Sequence, residues 1–324
     1  MKVLVTGAAG FLGRRLIAAL LSDADRVDPV SHVVAADLVS CPVADPRVES
    51  RIGTIADPRF VEAIADDDVA VVCHLAAVLS GQSEAEFDLG MRINVDGTRA
   101  LLEACRRLTR PPRFVFSSTT AVFGGPLPAV VSEDMALLPQ SSYGAEKAIA
   151  EHLVNEYSRR GFIDGVVCRV PTVAVRPGTP NSAVSSFVSG IVREPLAGIE
   201  SVCPVPLDMR LWITSPDVVI RNLAHAVWLA PSALGGRRTV NLPGLSVTPA
   251  EMLDSLERLG GAQARARVRC EVDPRIAGIV GTWPGALDVS RSLALGFSQD
   301  RDIDAVVQQF IAASAAAGDG SRRD

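Results

Sequence analysis

The sequence contains little that would support a disulfide framework or a metal site. Its six cysteines, at positions 41, 73, 105, 168, 203 and 270, are widely spaced and include no C-x-x-C pair. The four histidines show no ligand spacing such as H-E-x-x-H. Zinc sites and disulfide-rich folds need cysteines and histidines at short, regular spacings. We therefore expect the thiols to be core residues and predict that the protein holds no metal.

A basic region, a signal peptide and a long apolar segment are missing as well. The formal net charge is −5, and no basic stretch interleaved with aromatic residues indicates a nucleic-acid surface. Lys2 precedes a short β-branched run rather than the longer apolar region of a signal peptide. No apolar run approaches the ~20 residues that span a bilayer. These absences predict a small-molecule partner, neither nucleic acid nor membrane as a partner, and a cytoplasmic location.

What is present is a regular alternation of strand and helix patterns. With 48% hydrophobic and 21% charged residues, the chain has the composition of a globular protein. Apolar runs predict strands buried on both faces at residues 2–7, 32–38, 69–76, 113–119 and 165–173. Helical periodicity follows at residues 11–21, 91–107 and 145–160. This alternation predicts an α/β protein with a doubly wound parallel sheet.

A glycine pattern follows the first predicted strand. The segment "VTGAAGFLGRRL" carries Gly7, Gly10 and Gly13 between that strand and an apolar helix. In this context the glycines allow a tight turn, close approach of a pyrophosphate and close packing of helix on strand. Asp37 ends the second predicted strand, where a carboxylate binds ribose hydroxyls and repels a 2′-phosphate. The sequence therefore predicts an NAD-binding Rossmann fold and NAD rather than NADP as the cofactor.

The regular pattern loosens after about residue 175, where proline and glycine become frequent, as in "RPGTPNSAV" and "CPVPLDMRLW". This change indicates a smaller portion built from non-contiguous stretches. We predict a dinucleotide-binding domain over residues 1–173 with a return segment at about 212–245. The remaining residues, 174–211 and 246–324, are predicted to form a smaller C-terminal substrate-binding portion.

A tyrosine and a lysine stand four residues apart at the start of a predicted helix, in "SSYGAEKAIAEHL". At this spacing Tyr143 and Lys147 share one helix face. A lysine and a nicotinamide cation nearby would lower the pKa of the phenol, so that it could act as a general base. "FVFSSTTAVFGG" places hydroxyl groups at the end of a sheet strand, the edge at which such sheets bind ligands.

The motifs T-G-A-A-G-F-L-G, H-L-A-A, N-x-D-G-T, F-S-S-T-x-A-V-F-G and Y-G-x-x-K occur in this order. Together they resemble the extended short-chain dehydrogenase/reductases, the NAD-dependent epimerase/dehydratase group, from residue 2 to about 245. The resemblance implies that Thr119, Tyr143 and Lys147 are catalytic. It also implies a set of residues that bind NAD: Gly7, Gly10, Phe11, Leu12, Gly13, Asp37, Ile55, Leu75, Ala76, Ala77, Asn94, Ser117, Tyr143, Lys147, Pro171 and Val173. Many members carry an aspartate where this sequence has Thr54.

Longer segments, among them "RPGTPNSAVSSFVSGIVREPL" and "CPVPLDMRLWITSP", look like one branch of this family. That branch acts on a four-carbon sugar acid, D-erythronate, and the resemblance implies NAD-dependent oxidation at C2 to the 2-oxo acid. The implied substrate-binding residues are Ser80, Thr119, Tyr143, Thr172, Arg176, Asn181 and Arg210. Either Arg176 or Arg210 could pair with the substrate carboxylate, because a guanidinium fork suits carboxylates and phosphates alike.

Two other functions remain open from the residues alone. A nucleotide-sugar epimerase or dehydratase would use the same base and cofactor, and an inactive NAD-sensing protein would keep the fold without needing the tyrosine, lysine and hydroxyl together. The resemblance further implies a homodimer that pairs the helices at 91–107 and 145–160. The apolar stripe of Ile149, Leu153 and Tyr157 is the candidate face.

Overall fold

The computed structural model describes residues 1–23, 28–178 and 183–320. Its strands in chain order are β1 (Lys2–Thr6), β2 (His32–Asp37), β3 (Val48–Ile52), β4 (Val69–His74), β5 (Arg113–Thr119), β6 (Asp164–Val170), β7 (Thr172–Val173), β8 (Ser201–Cys203), β9 (Leu211–Thr214), β10 (Thr239–Asn241), β11 (Leu245–Val247) and β12 (Val268–Cys270).

The α-helices are α1 (Phe11–Ser22), α2 (Pro58–Ile64), α3 (Ser80–Ala85), α4 (Phe87–Gly90), α5 (Thr98–Arg106), α6 (Ser142–Arg159), α7 (Ser186–Leu196), α8 (Pro216–Trp228), α9 (Pro231–Leu234), α10 (Pro249–Gly260), α11 (Ala262–Ala266), α12 (Pro274–Val280), α13 (Ser290–Ala294) and α14 (Ile303–Gly320). A π-helical segment, Met91–Gly97, joins α4 to α5, and a short 3-10 turn, Thr120–Val122, follows β5.

The central sheet has seven parallel strands in the order β10-β6-β5-β4-β1-β2-β3. Helical crossovers connect most neighbouring strands, as parallel pairing requires. The strand order reverses between β1 and β4, and in such sheets ligands bind beside this point, at the carboxyl ends of the strands. The predicted doubly wound α/β fold is confirmed.

Two compact units make up the chain, and each has its own core. The first unit comprises Met1–Val122, Ser141–Val170 and Ile220–Asn241, and the second comprises Phe123–Gln140, Pro171–Val219 and Leu242–Asp324. This division places 123–140 in the second unit, whereas we predicted one domain from 1 to 173 with a return segment at about 212–245. The domain limits that we drew from the sequence stay a prediction.

The core of the first unit lies against the central sheet and includes the fully buried side chains of Leu4, Leu101, Phe114 and Phe116. The strands alternate little between polar and apolar residues because helices cover both faces of a parallel sheet. This packing fixes the carboxyl ends of β1, β4 and β5, which carry the predicted site residues.

The second unit contains a three-stranded sheet in the order β11-β9-β7 and a parallel pair, β12-β8. Its core gathers apolar side chains from α7, β9, α10 and α14, including Ile191, Ile213, Leu253 and Val307. A capping box, in which Thr248 and Glu251 bond each other's backbone N–H, starts α10. Within the described residues, no helix is long and apolar enough to cross a membrane.

Candidate active site

The loop between β1 and α1 makes a turn that requires glycine. Gly7 has a φ of 70°, in the left-handed region. A Cβ at Gly13 would lie 2.1 Å from the carbonyl oxygen of Gly7, and a Cβ at Gly10 would lie 3.2 Å from the same oxygen. Phe11 and Leu12 form the first turn of α1, where N–H groups have no partner within the helix. The loop can therefore receive an anion close to its backbone.

Asp37 is tied to this loop from the end of β2. Its Oδ2 accepts a hydrogen bond from the backbone N–H of Ala9 at 2.9 Å, and its Oδ1 accepts one from that of Leu38 at 2.7 Å. Asp37 is only half-buried, so the carboxylate keeps acceptor capacity toward solvent. The position suits a group that would bind two vicinal hydroxyls next to the glycine loop.

The predicted cofactor loop after β4 packs directly on Gly7. A Cβ at Gly7 would lie 2.7 Å from the nitrogen of Ala76 and 2.9 Å from the carbonyl carbon of Leu75. Ala77 is half-buried in the same loop. Ile55, which is 6% exposed, packs against Gly97 at the end of the π-helical segment. The glycine loop, this loop and Ile55 therefore belong to the same unit.

A buried histidine connects this loop to the next helix. The hydroxyl of Thr98 donates to the carbonyl oxygen of Asn94 at 2.7 Å, so it must accept from Nε2 of His74 at 2.9 Å. Nδ1 of His74 then accepts from the Thr6 hydroxyl at 2.6 Å, and Thr6 Oγ1 in turn accepts from the N–H of Ala76 at 3.4 Å. The chain of bonds assigns the Nε2–H tautomer and holds His74 neutral.

Burial, helped by the charge of Lys147, lowers the pKa of His74 from 6.5 to about 3. Protonation therefore favours the unfolded chain, and the stability that this histidine contributes is present above about pH 6.5. We expect the free energy of unfolding to fall by up to about 1.4 kcal/mol per pH unit as the pH drops from 6.5 toward 3. Urea unfolding at several pH values tests this, with His74→Gln as the control that should show a flatter profile despite lower stability at neutral pH.

Helix α6 carries Tyr143 and Lys147 at its first two turns. It begins where the Ser141 hydroxyl accepts from the N–H of Gly144 at 3.2 Å, a side-chain cap that fixes the start. The Lys147 ammonium is buried and donates to the carbonyl oxygen of Ser117 at 2.9 Å. It lies 5.8 Å from the centre of the Tyr143 ring. The structure therefore brings together Tyr143, Lys147 and Ser117.

Burial dominates the electrostatics of this pair when no cofactor is bound. Burial raises the pKa of the Tyr143 phenol, and the Glu146 carboxylate raises it further. Burial lowers the pKa of Lys147 to about 8, against the opposing effect of Glu146 and Glu151. The lowering of the phenol pKa that we expect from Lys147 together with a nicotinamide cation stays a prediction for the cofactor-bound site.

Thr119 lies at the last position of β5, two residues beyond Ser117. Its hydroxyl oxygen accepts from the N–H of Ala121 at 3.1 Å, and the side chain is half-buried. The intervening Ser118 points to the opposite face, where its hydroxyl donates to Glu151 at 2.5 Å. Ser117 and Thr119 are thus on one face of the strand end, as the sequence predicts.

Asn94 is buried in the π-helical segment, and both the oxygen and the nitrogen of its amide bond within the protein. Its Oδ1 accepts from the N–H of Val78 at 2.8 Å, and its Nδ2 donates to the Val78 carbonyl at 3.0 Å and to Glu146 at 2.6 Å. The amide also approaches the hydroxyl of Ser83 at 3.3 Å. These contacts make Asn94 a clamp on the loop after β4, and its predicted contact with NAD stays a prediction.

The remaining predicted residues are spread along the chain. Ser80 is the first residue of α3, in the first unit. In the second unit, Pro171 precedes β7, and Thr172 and Val173 form that strand beside β9. Asn181 lies outside the described residues.

The two candidate arginines have different surroundings within the second unit. The Arg210 side chain is 56% exposed and contacts Glu251 at 3.4 Å. Arg176 is half-buried, with its N–H bonded to Ser189 Oγ at 3.0 Å. Arg193 donates to the carbonyl oxygen of Arg176 at 2.9 Å, and burial together with the charge of Arg193 lowers the pKa of Arg176. The Arg193 guanidinium in turn pairs with Glu194 at 2.5 Å.

Sequence reasoning missed several buried polar residues around the site. His74 and Thr98 stabilise the loop after β4, and Glu146 joins Asn94 to α6. The sequence signal for Glu146 was its place between Tyr143 and Lys147, in a stretch of the helix whose other residues are small. Arg193 gave no signal of its own, because its proximity to Arg176 depends on the packing of α7.

Comparison with known proteins gives a consistent result. The model of the NAD dependent epimerase/dehydratase family matches residues 3–230. D-erythronate dehydrogenase of Cupriavidus necator is 49% identical over 318 residues, which cover 96% of this chain and 98% of that protein. D-erythronate dehydrogenase of Haemophilus influenzae is 43% identical over 313 residues, 96% of this chain and 99% of that protein.

A solved structure described as the nucleoside-diphosphate-sugar epimerase from Agrobacterium tumefaciens has a TM-score of 0.90 to this chain at 38% identity. The match covers 95% of this chain and 92% of that chain. The chain therefore belongs to the NAD dependent epimerase/dehydratase family and is an extended short-chain dehydrogenase/reductase.

Proposed function

We propose that this protein is an NAD-dependent dehydrogenase that oxidises D-erythronate at C2 to 2-oxo-tetronate (2-dehydro-D-erythronate). The observation that carries the proposal is near full-length similarity, at 49% and 43% identity, to two D-erythronate dehydrogenases. The presence of Thr119, Tyr143 and Lys147 in one unit supports an active enzyme over an inactive NAD sensor.

The residues present fit NAD. Gly13 lets α1 pack closely on the loop, and Gly10, which is exposed at the N-terminus of α1, leaves its backbone open to a pyrophosphate. Asp37 would bind the adenosine ribose, and Lys147 would bind the nicotinamide ribose. The other proposed contacts are Gly7, Gly10, Phe11, Leu12, Gly13, Ile55, Leu75, Ala76, Ala77, Asn94, Ser117, Tyr143, Pro171 and Val173. Bound NAD would accept the hydride that leaves C2 of the substrate.

Tyr143 would take the proton of the C2 hydroxyl at its phenolate oxygen. Because burial raises the pKa of this phenol, the phenolate needs a nearby positive charge, which Lys147 supplies as long as its ammonium stays protonated. The Thr119 hydroxyl, at the end of β5, would hydrogen-bond the substrate hydroxyl and orient it. The proton therefore passes from the substrate oxygen to Tyr143.

The substrate is an anion, and we propose Arg176 as the partner of its carboxylate. Arg176 is half-buried beside Arg193, so its guanidinium is partly desolvated and favours a charged ligand. Arg210 is 56% exposed, so a charge pair there is more strongly screened by solvent, which makes it the weaker candidate. Ser80, Thr172 and Asn181 stay predicted partners of the substrate hydroxyls.

Steady-state assays with purified protein test this function. NADH absorbance should appear with NAD and D-erythronate and should stay at background with UDP-sugars. A nucleotide-sugar epimerase or dehydratase is the alternative, favoured by the description of the Agrobacterium tumefaciens structure. Turnover of UDP-sugars alone would show that the alternative is right.

Asp37→Asn is expected to raise the KM for NAD about tenfold and to narrow the preference for NAD over NADP. The amide keeps the shape and one acceptor but loses the charge, and a charged hydrogen bond contributes about 1.5–3 kcal/mol. The measurement is kcat/KM for both cofactors with D-erythronate. Asp57→Asn, which preserves the cap of α2, is the matched control and should leave cofactor preference unchanged.

We also propose a homodimer in the cytoplasm. Ile149 on α6 is 41% exposed and Phe87 on α4 is 59% exposed, which supports a partner for this part of the surface. Leu153 and Tyr157 pack partly on the core, so only the outer edge of the predicted stripe is available. The molar mass in solution, from light scattering, tests the assembly.

A further inference from the structure

Glu146 is a fully buried carboxylate that our description of the reaction has not used. Its Oε2 accepts from Nδ2 of Asn94 at 2.6 Å and from the hydroxyl of Ser83 at 3.0 Å. Its Oε1 has no hydrogen-bond partner in the described part of the chain. This oxygen lies against Gly90, where a Cβ would approach it to 2.1 Å. The fold therefore buries the Glu146 carboxylate among hydrogen-bond partners that are all neutral.

The other buried carboxylate on α6 is neutralised, in contrast to Glu146. Glu151 pairs with Arg169 at 2.8 Å and accepts from the Ser118 hydroxyl. Glu146 forms no ion pair within the residues that the structure describes. An uncompensated charge in a low-dielectric interior acts strongly on other charges nearby. The adjacent residue on the helix, Lys147, is such a charge and is itself buried.

Few other groups near Lys147 stabilise its positive charge. It donates one hydrogen bond, to Ser117 on β5, and otherwise faces the rings of Phe116, at 4.6 Å from the ring centre, and Tyr143. On the neighbouring strands, His74 of β4 is neutral and Arg169 of β6 is balanced by Glu151. Burial lowers the pKa of Lys147 to about 8, and Glu146 is the stronger of the two carboxylates that oppose this shift.

We propose that Glu146 is a positioning residue: its buried carboxylate keeps the ammonium of Lys147 charged at neutral pH and fixes Asn94 and Ser83 against the loop after β4. The catalytic consequence rests on the proposed function, since Lys147 assists Tyr143 only while it is charged. The carboxylate has a cost, because it also disfavours the phenolate of Tyr143. Glu146 therefore stabilises the charged form of Lys147 and does not activate Tyr143 directly.

The chain allows a direct test, because lysine occurs only at positions 2 and 147. Protein labelled with 13C- and 15N-lysine should give two side-chain signals, one of them from Lys2, which pairs with Asp66 and serves as the reference. In the cofactor-free wild type, Lys147 should titrate near pH 8. In Glu146→Gln, which keeps the shape of the side chain, the midpoint should fall by about one pH unit or more.

Two matched variants separate charge from packing. Ser83→Ala removes a hydrogen bond of the same cluster but keeps the carboxylate, so the Lys147 midpoint should stay at its wild-type value. Glu84→Gln removes an exposed carboxylate that accepts from the N–H of Ser142 at the start of α6, and it should also leave the midpoint unchanged. If Glu146→Gln does not fold, Glu146→Ser removes the charge with a smaller side chain.

An unchanged Lys147 midpoint in a folded charge-removing variant overturns the proposal. So does a wild-type Lys147 that is mostly uncharged at neutral pH. The titration needs neither substrate nor cofactor, so its result is independent of the proposed reaction. Failure of the proposed function would instead appear as wild-type protein that does not turn over D-erythronate.

Discussion

Tyr143→Phe is expected to lower kcat for D-erythronate oxidation about a thousandfold, within the usual range for loss of a general base. The substitution removes only the phenol oxygen, which is the atom that we propose accepts the hydroxyl proton. The ring itself is kept beside Lys147, so the fold and the affinity for NAD should change little. Initial rates of NADH formation, together with NAD binding measured by calorimetry, distinguish a lost base from a lost cofactor site.

Tyr157→Phe is the matched control, because the chain contains two tyrosines and Tyr157 is the other. Its hydroxyl donates to Glu103 on α5, a contact that is separate from the proposed base. This variant should therefore retain wild-type kcat. Wild-type kcat in Tyr143→Phe would show that another group removes the proton.

The fold was largely predictable from the sequence because the signals are local. The strands that become β1, β2, β4, β5 and β6 are apolar, β-branched runs, and a parallel sheet needs such runs because helices cover both of its faces. β10 has only three residues, and β3 carries the charged, partly or fully exposed side chains of Glu49 and Arg51, typical of an edge. Their place in the sheet comes from long-range pairing, which no local pattern reveals.

The candidate site was predictable where backbone geometry dictates the residue type. Gly7 and Gly13 are required by a positive φ and by close packing, and both requirements are visible as a spaced motif. The surroundings of Asn94, His74 and Glu146 were not predictable, because each depends on contacts across more than one element. The direction of the Tyr143 pKa shift follows from burial first and from Glu146 second, and could not be inferred from the spacing of the pair.

Gly13→Ala is expected to lower the free energy of unfolding by about 3 kcal/mol or more and to abolish stabilisation by NAD. The added methyl would lie 2.1 Å from the Gly7 carbonyl oxygen and 2.8 Å from Cα of Ala8. Both are backbone atoms, so the clash is relieved only if α1 moves away from the loop. That movement would also displace the N-terminus of α1, which we propose binds the pyrophosphate.

The expected loss of stability in Gly13→Ala is opposite in sign to the effect of this substitution on helix propensity alone. Alanine in a helix interior is more favourable than glycine by about 1 kcal/mol, so steric overlap has to exceed this gain. Gly278→Ala supplies the comparison, because Gly278 lies in α12 and a Cβ there would meet no atom within 4 Å. That variant should be as stable as the wild type or slightly more so.

Urea unfolding of both variants, with and without NAD, measures the two effects together. Gly10→Ala gives an intermediate case, since its Cβ would lie 3.2 Å from the Gly7 oxygen. We expect it to remain folded but to bind NAD more weakly, because Gly10 is exposed where the cofactor would approach. Equal stability and equal response to NAD in Gly13→Ala and wild type would mean that α1 does not pack on the loop as described. We expect stabilisation by NAD to decrease in the order Gly278→Ala, Gly10→Ala, Gly13→Ala. This order would show that the close approach of backbone atoms, and not the number of glycines, makes this turn a dinucleotide site.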